Sequence, residues 1–89
     1  MKDKKDLEKI LKVLANRRRL AIIKYLKDSK QASVGDISGE INLSFRSTSK
    51  HLSILFSANL VDKDSKRTQV FYKLSDDYNT IIKHTVSML

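Results

Sequence analysis

Apolar positions recur along this chain at two different periods. Leu7, Ile10, Leu11 and Leu14 fall at i, i+3, i+4 and i+7, the spacing of one buried helical face, and predict a first helix over 2–15. Ile22, Ile23 and Leu26, with Leu20 and Tyr25 alongside, predict a second over 17–27, with Asn16 as its N-cap. Val34, Ile37 and Ile41 predict a short helix over 34–41. Ser33 and Asp36 open it in a near capping box, and Asn42 suits the left-handed residue that closes it. Leu43 then plugs a tight corner, and Ser44 caps a longer helix running to 58 with Leu52, Leu55 and Phe56 as its buried stripe. Gly39 inside a helix costs up to about 1 kcal/mol against alanine, and close packing against the crossing helix is the expected reason for it.

Beyond Asn59 the period shortens to two. Residues 60–64 and 69–74 are rich in β-branched and aromatic side chains, and Val70, Tyr72 and Leu74 share one face, which predicts a β-hairpin with the basic tip 65–68. Residues 28–32 form a polar connector. A last helix is expected over 76–89, where Tyr78, Ile81, Ile82, Thr85, Val86 and Leu89 make one long apolar stripe. A stripe of that length left bare is a large patch for a monomer. Pairing with a second copy of the chain, helped by Leu7, Ile10, Leu11 and Leu14, would cover it; folding back onto its own domain is the alternative. The first helix likewise could face the domain or a partner.

Eighty-nine residues suggest one domain with a thin core, and the sequence shows no internal repeat or linker. The charge balance changes the picture more. Eighteen Lys and Arg against ten Asp and Glu leave a net +8, which favours a polyanionic partner, nucleic acid first and an anionic membrane second. No apolar run is long enough to span a bilayer, and the N-terminus lacks a signal core, so a cytoplasmic location is expected. Cysteine is absent, which removes disulfides, thiolate metal sites and thiol chemistry together.

The chemistry concentrates on the helix after Ser44. Phe45, Arg46, Ser47, Ser49, Lys50 and Ser53 put cations and short hydroxyls on the positions its apolar stripe leaves free, crowded toward its N-terminal half. A DNA major groove needs that layout: the stripe fixes the helix, and small donors and cations reach base edges and phosphates. Arg46 has the planar fork that bonds both acceptors of a guanine edge. Amides at the Ser44 cap suit a phosphate. Lys66 and Arg67 at the hairpin tip suit the backbone or minor groove, or simply solvate an exposed turn. Arg17, Arg18 and Arg19 oppose their helix dipole; they either approach phosphates or pair with acids such as Glu8 or Asp36. There is no Gly-rich phosphate loop, metal-ligand cluster or nucleophile–base pair, so no catalytic residue is expected.

The stretches LKVLANRRRLAIIKYL, SVGDISGEINLSFRSTSKHLSILFSANLV and VFYKLS, in that order and spacing, resemble the ArsR-type winged helix-turn-helix transcriptional repressors over about residues 11–74. The resemblance implies a mainly α fold of order αααα–ββ–α. Residues 34–58 would be the helix-turn-helix, 60–74 the wing, and 1–15 with 76–89 the dimerisation helices. It implies a homodimer on a pseudo-palindromic double-stranded operator near its own promoter, released by an effector. By motif, its base-reading positions fall on Phe45, Arg46, Ser47, Ser49 and Lys50, with His51 beside them, and Thr48 stands where the family buries a small aliphatic residue. The family's Cys-Val-Cys metal run reads Ser33-Val34-Gly35 here, and a lone His84 near Asp76 and Asp77 lacks the partners of the family's zinc site, so neither metal nor other cofactor is expected and the effector is unknown. Lys66 replaces a common wing-tip glycine, from which a broader, looser tip is expected. The rival readings are a winged-helix protein-interaction module without specific DNA binding and a basic amphipathic membrane binder.

Overall fold

The computed structural model describes residues 4–76 and 80–89, the side chains of 80–82 excepted. The order is α1 (Lys4–Leu14), α2 (Arg17–Ser29), β1 (Ala32–Ser33), α3 (Val34–Ile41), α4 (Phe45–Ser57), β2 (Val61–Lys66), β3 (Gln69–Leu74) and α5 (Thr80–Ser87). This is the expected mainly helical winged helix-turn-helix with one addition. Ala32, expected in a polar connector, and Ser33, expected as the helix cap that it also is, form a short strand against Tyr72 and Phe71. The sheet is antiparallel, in the order β1-β3-β2.

The local signals at the helix ends operate as read. The Asn16 side chain accepts from the Arg18 and Arg19 amides at 3.0 and 3.1 Å. Ser33 accepts from the Asp36 amide and Ser44 from the Ser47 amide, each at 3.1 Å. Asn42 closes α3 in the left-handed conformation, φ 54° and ψ 52°, and the Leu43 amide returns to the Ser38 carbonyl at 3.0 Å. That sharp stop turns the chain from α3 into α4 within three residues. A second such stop follows α4, where Asn59 has φ 62° and the Leu60 amide reaches the Leu55 carbonyl at 3.0 Å.

The core gathers around α2. Ile22, Ile23 and Leu26 meet Val34 and Ile37 of α3, Leu52 and Leu55 of α4, and Leu60, Val61 and Tyr72 of the hairpin. Val13 and Leu14 of α1 and Val86 of α5 close its ends. Burial also pushes the Tyr72 phenol above its usual pKa.

Four expectations change. Phe56 is 39% exposed rather than buried; the stripe of α4 is Thr48, Leu52 and Leu55, and the Lys63 ammonium lies 4.6 Å from the Phe56 ring centroid. Gly39 is in open space, so close packing does not explain it. Glu8 lies 3.8 Å from Lys12, not beside the α2 arginines. The hairpin tip is tight rather than broad: Lys66 pairs with Gln69, and Arg67 takes φ 55° in the two-residue turn.

Candidate nucleic-acid interface

α4 presents two faces because its sequence alternates their chemistry at helical spacing. Thr48 and Leu52 are fully buried, as is Leu55, and they anchor the helix over α2 and α3. Opposite them Arg46, Lys50, Ser53 and Ser57 are all exposed and recur at i, i+4, i+7 and i+11, one continuous polar stripe. Ser47 and Ser49 flank it, half-buried. The Ser44 hydroxyl takes the Ser47 amide, so that donor of the first turn is spent on the cap. Phe45 projects beside the stripe with 62% of its surface exposed.

Phe45 does not cover the neighbouring core. It forms one lip of a cleft of about 250 Å³ between α4 and the wing, with Ser49 on the same wall and Thr68, Gln69 and Val70 on the other. Val34, Gly35 and Tyr72 also line it. Thr68 and Gln69 therefore join the residues that a ligand lying along α4 would meet. Sequence reasoning missed them because the wall they face, Phe45 and Ser49 of α4, is distant from them in the sequence.

The wing cations differ from each other. Lys66 lies 3.6 Å from Asp64 and 5.6 Å from the Phe71 ring centroid, so part of its charge is answered within the hairpin. Arg67 stands exposed at the turn itself. The α2 arginines differ too. Arg18 reaches the Ile41 carbonyl at 3.4 Å. Arg19 turns inward: its Nε donates to the Val13 carbonyl at 2.6 Å, and Nη1 lies 3.3 Å from His51 Nδ1. His51 is thus half-buried on the flank of α4, and its pKa is lowered by burial first and then by Arg19, Arg18 and Lys50.

The residues expected at a subunit interface divide three ways. Leu14 and Val86 are buried within the protomer, and Ile10 and Leu89 pack half-buried against the same core. Leu11 is 47% exposed, and Leu7 and Thr85 are half-buried. Tyr78 lies outside the described residues, as do the side chains of Ile81 and Ile82. Among the described residues no group of three or more His, Asp or Glu could hold a metal ion, and no helix is long and apolar enough to cross a membrane.

Residues 16–63 match the family profile described as bacterial regulatory protein, ArsR family. The chain is 38% identical over 80 residues to the transcriptional activator HlyU of Vibrio cholerae, covering 90% of this chain and 70% of that protein. It is 34% identical over 70 residues to the arsenical resistance operon repressor of Bacillus subtilis, covering 79% and 67%. A solved structure of Vibrio cholerae HlyU superposes with a TM-score of 0.83 at 34% identity, covering 98% of this chain and 90% of that one.

Proposed function

This chain belongs to the ArsR family of bacterial regulatory proteins, and from that premise we propose that it is a homodimeric, sequence-specific reader of double-stranded DNA that represses transcription from a pseudo-palindromic operator. The observation that carries the reading is the stripe of Arg46, Lys50 and Ser53, exposed along a helix whose opposite side is locked into the core. Arg46 reads a guanine edge. Ser47, Ser49 and Lys50 bond neighbouring bases or phosphates, and Phe45 meets a thymine methyl or a sugar at the mouth of its cleft. Lys66 and, more strongly, Arg67 hold the backbone beside the wing. Two copies joined through residues 1–15 and 76–89 would set two recognition helices about 34–36 Å apart, one turn of DNA. Such a reader works in the bacterial cytoplasm, needs no cofactor and performs no catalysis.

Selection of bound sequences from random duplex DNA tests this. One sequence family should be enriched, with two-fold symmetry. Arg46→Ala should then lose about 10–100-fold in operator affinity, the worth of one bidentate base pair, with a much smaller loss on random duplex. A pool that enriches nothing, or an equal loss on both duplexes, defeats the proposal. One similar protein is named as an activator and another as a repressor, so activation is the second reading. A promoter-fused reporter separates them, because occlusion lowers transcription when the operator overlaps the promoter.

A further inference from the structure

Arg19 sits where three elements meet. Its backbone amide is held by the Asn16 cap at 3.1 Å. Its guanidinium donates through Nε to the Val13 carbonyl at 2.6 Å and through Nη2 to the Lys12 carbonyl at 3.4 Å. Both carbonyls belong to the last turn of α1, where no further turn supplies amides. The remaining edge, Nη1, faces His51 Nδ1 of α4 at 3.3 Å. One planar group thus ties the end of α1 to the middle of the recognition helix.

The direction of the His51 contact follows from the inventory of donors. A guanidinium has five N–H groups and no acceptor, so Nδ1 must offer its lone pair. The neutral ring then carries its proton on Nε2. Protonation converts both ring nitrogens into donors, which abolishes this hydrogen bond and sets two cations 3.3 Å apart. The charges acting on the ring are Arg19 and Arg18 from α2 and Lys50 from α4, all of one sign; α1 contributes the Lys12 and Val13 carbonyls to the guanidinium.

We infer that Arg19 is a positioning residue for DNA reading: through His51 it fixes the angle of the recognition helix against α1, and the link opens when the imidazole is protonated. The inference deepens the DNA reading proposed above and rests on it. His51, expected from the family resemblance beside the base-reading residues, spends Nδ1 inward and keeps only Nε2–H for a ligand. Acidification therefore weakens operator binding, although adding a positive charge to a mere phosphate contact would strengthen it. Arg19 and His51 carry this role as a pair.

Two measurements on the full chain test it. Nitrogen-15 imidazole spectra, with the His51 signals identified by their loss in His51→Asn, should show the Nε2–H tautomer at neutral pH and a midpoint below the usual histidine range. Arg19→Lys should remove the tautomer preference and raise the midpoint. A His51 ring protonated on Nδ1 at neutral pH overturns the inference without involving DNA. Binding to the selected operator and to random duplex is then followed from about pH 7.5 to about pH 5.5, the range in which histidine changes charge. The native chain should lose about tenfold on the operator, the worth of one hydrogen bond to a charged group, with no loss on random duplex. His51→Asn, whose Oδ1 accepts from Arg19 but takes no proton, should show no such fall relative to its own affinity near pH 7.5. Arg19→Lys, with helicity unchanged by circular dichroism, should start about tenfold weaker on the operator alone and fall no further. Persistence of the acid loss in His51→Asn, or tighter binding of both duplexes at low pH, overturns the inference while leaving the DNA reading intact. Absence of any preferred duplex near pH 7.5 defeats the DNA reading, and the positioning role with it.

Discussion

Thr48 lies in the buried stripe of α4 with no accessible surface, and its hydroxyl has no hydrogen-bond partner. Its backbone amide is satisfied by the Ser44 carbonyl at 2.9 Å, so the unmet group is the side chain alone. An unsatisfied buried hydroxyl costs about 1–3 kcal/mol. Valine has the same branching without the hydroxyl, so Thr48→Val should stabilise the fold by about 1 kcal/mol. Urea unfolding should show a higher midpoint at unchanged slope; a lower midpoint would mean that the hydroxyl is bonded in solution. The family resemblance foreshadows this site, because it places a small aliphatic residue there. Phe56 is the opposite lesson. Its spacing with Leu52 and Leu55 suggests burial, but a helix stripe read on paper is wider than the face its neighbours cover, and Lys63 lies over the ring instead.

At the scale of elements, backbone economy departs from the usual pattern. The chain has two glycines, and both lie inside α3. Among the described residues, positive φ falls on Lys30, Asn42, Asn59 and Arg67. Asparagine tolerates that conformation; a lysine or arginine there costs roughly 1–2 kcal/mol. Lys30, at φ 72° after α2, should therefore gain about 1 kcal/mol from Lys30→Gly, and Gly39, with nothing within 4 Å of an added Cβ, about the same from Gly39→Ala. The two sites lie in different elements, and the double variant should add the gains in thermal or urea unfolding; a loss at either would show a contact that the free chain geometry does not contain. The same contrast explains what could be read in advance. Caps at Asn16, Ser33, Asn42 and Ser44 are legible because they involve residues two to five apart. β1, the cleft wall at Thr68 and Gln69, and the contact of Arg19 with His51 depend on partners far away in the sequence, where local pattern carries no information.

On the scale of the whole molecule, an apolar face of α1 is weakly covered among the described residues. Leu7 and Leu11 line an open groove on α1 with Lys4, Glu8, Lys12 and Ala15, and Leu11 is 47% exposed. Val13, on the far side of the same helix, and Leu14, one turn on from Leu11, are already committed to the core. The described end of the chain also packs at home: Val86 of α5 is buried against the protomer, and the Lys24 ammonium donates to the Leu89 carbonyl at 2.8 Å. On α1, packing at home therefore holds for Val13 and Leu14, while Leu11 is left open to a partner. This separation makes the proposed dimer testable without damaging the fold. Leu11→Glu puts a charge on the outer face of α1, where the protomer itself loses little burial. Sedimentation should show the native chain as a dimer at micromolar concentration and Leu11→Glu as a folded monomer with the same helicity. The monomer must bind each operator half independently and forfeits the effective concentration that linkage provides, so its operator affinity should fall by about 100-fold or more. Val86→Ala should act the other way, lowering the unfolding midpoint through the cavity it leaves while the assembled fraction remains dimeric. A Leu11→Glu chain that still sediments as a dimer would move the interface off α1, because a buried unpaired carboxylate at that position costs more than a small interface returns.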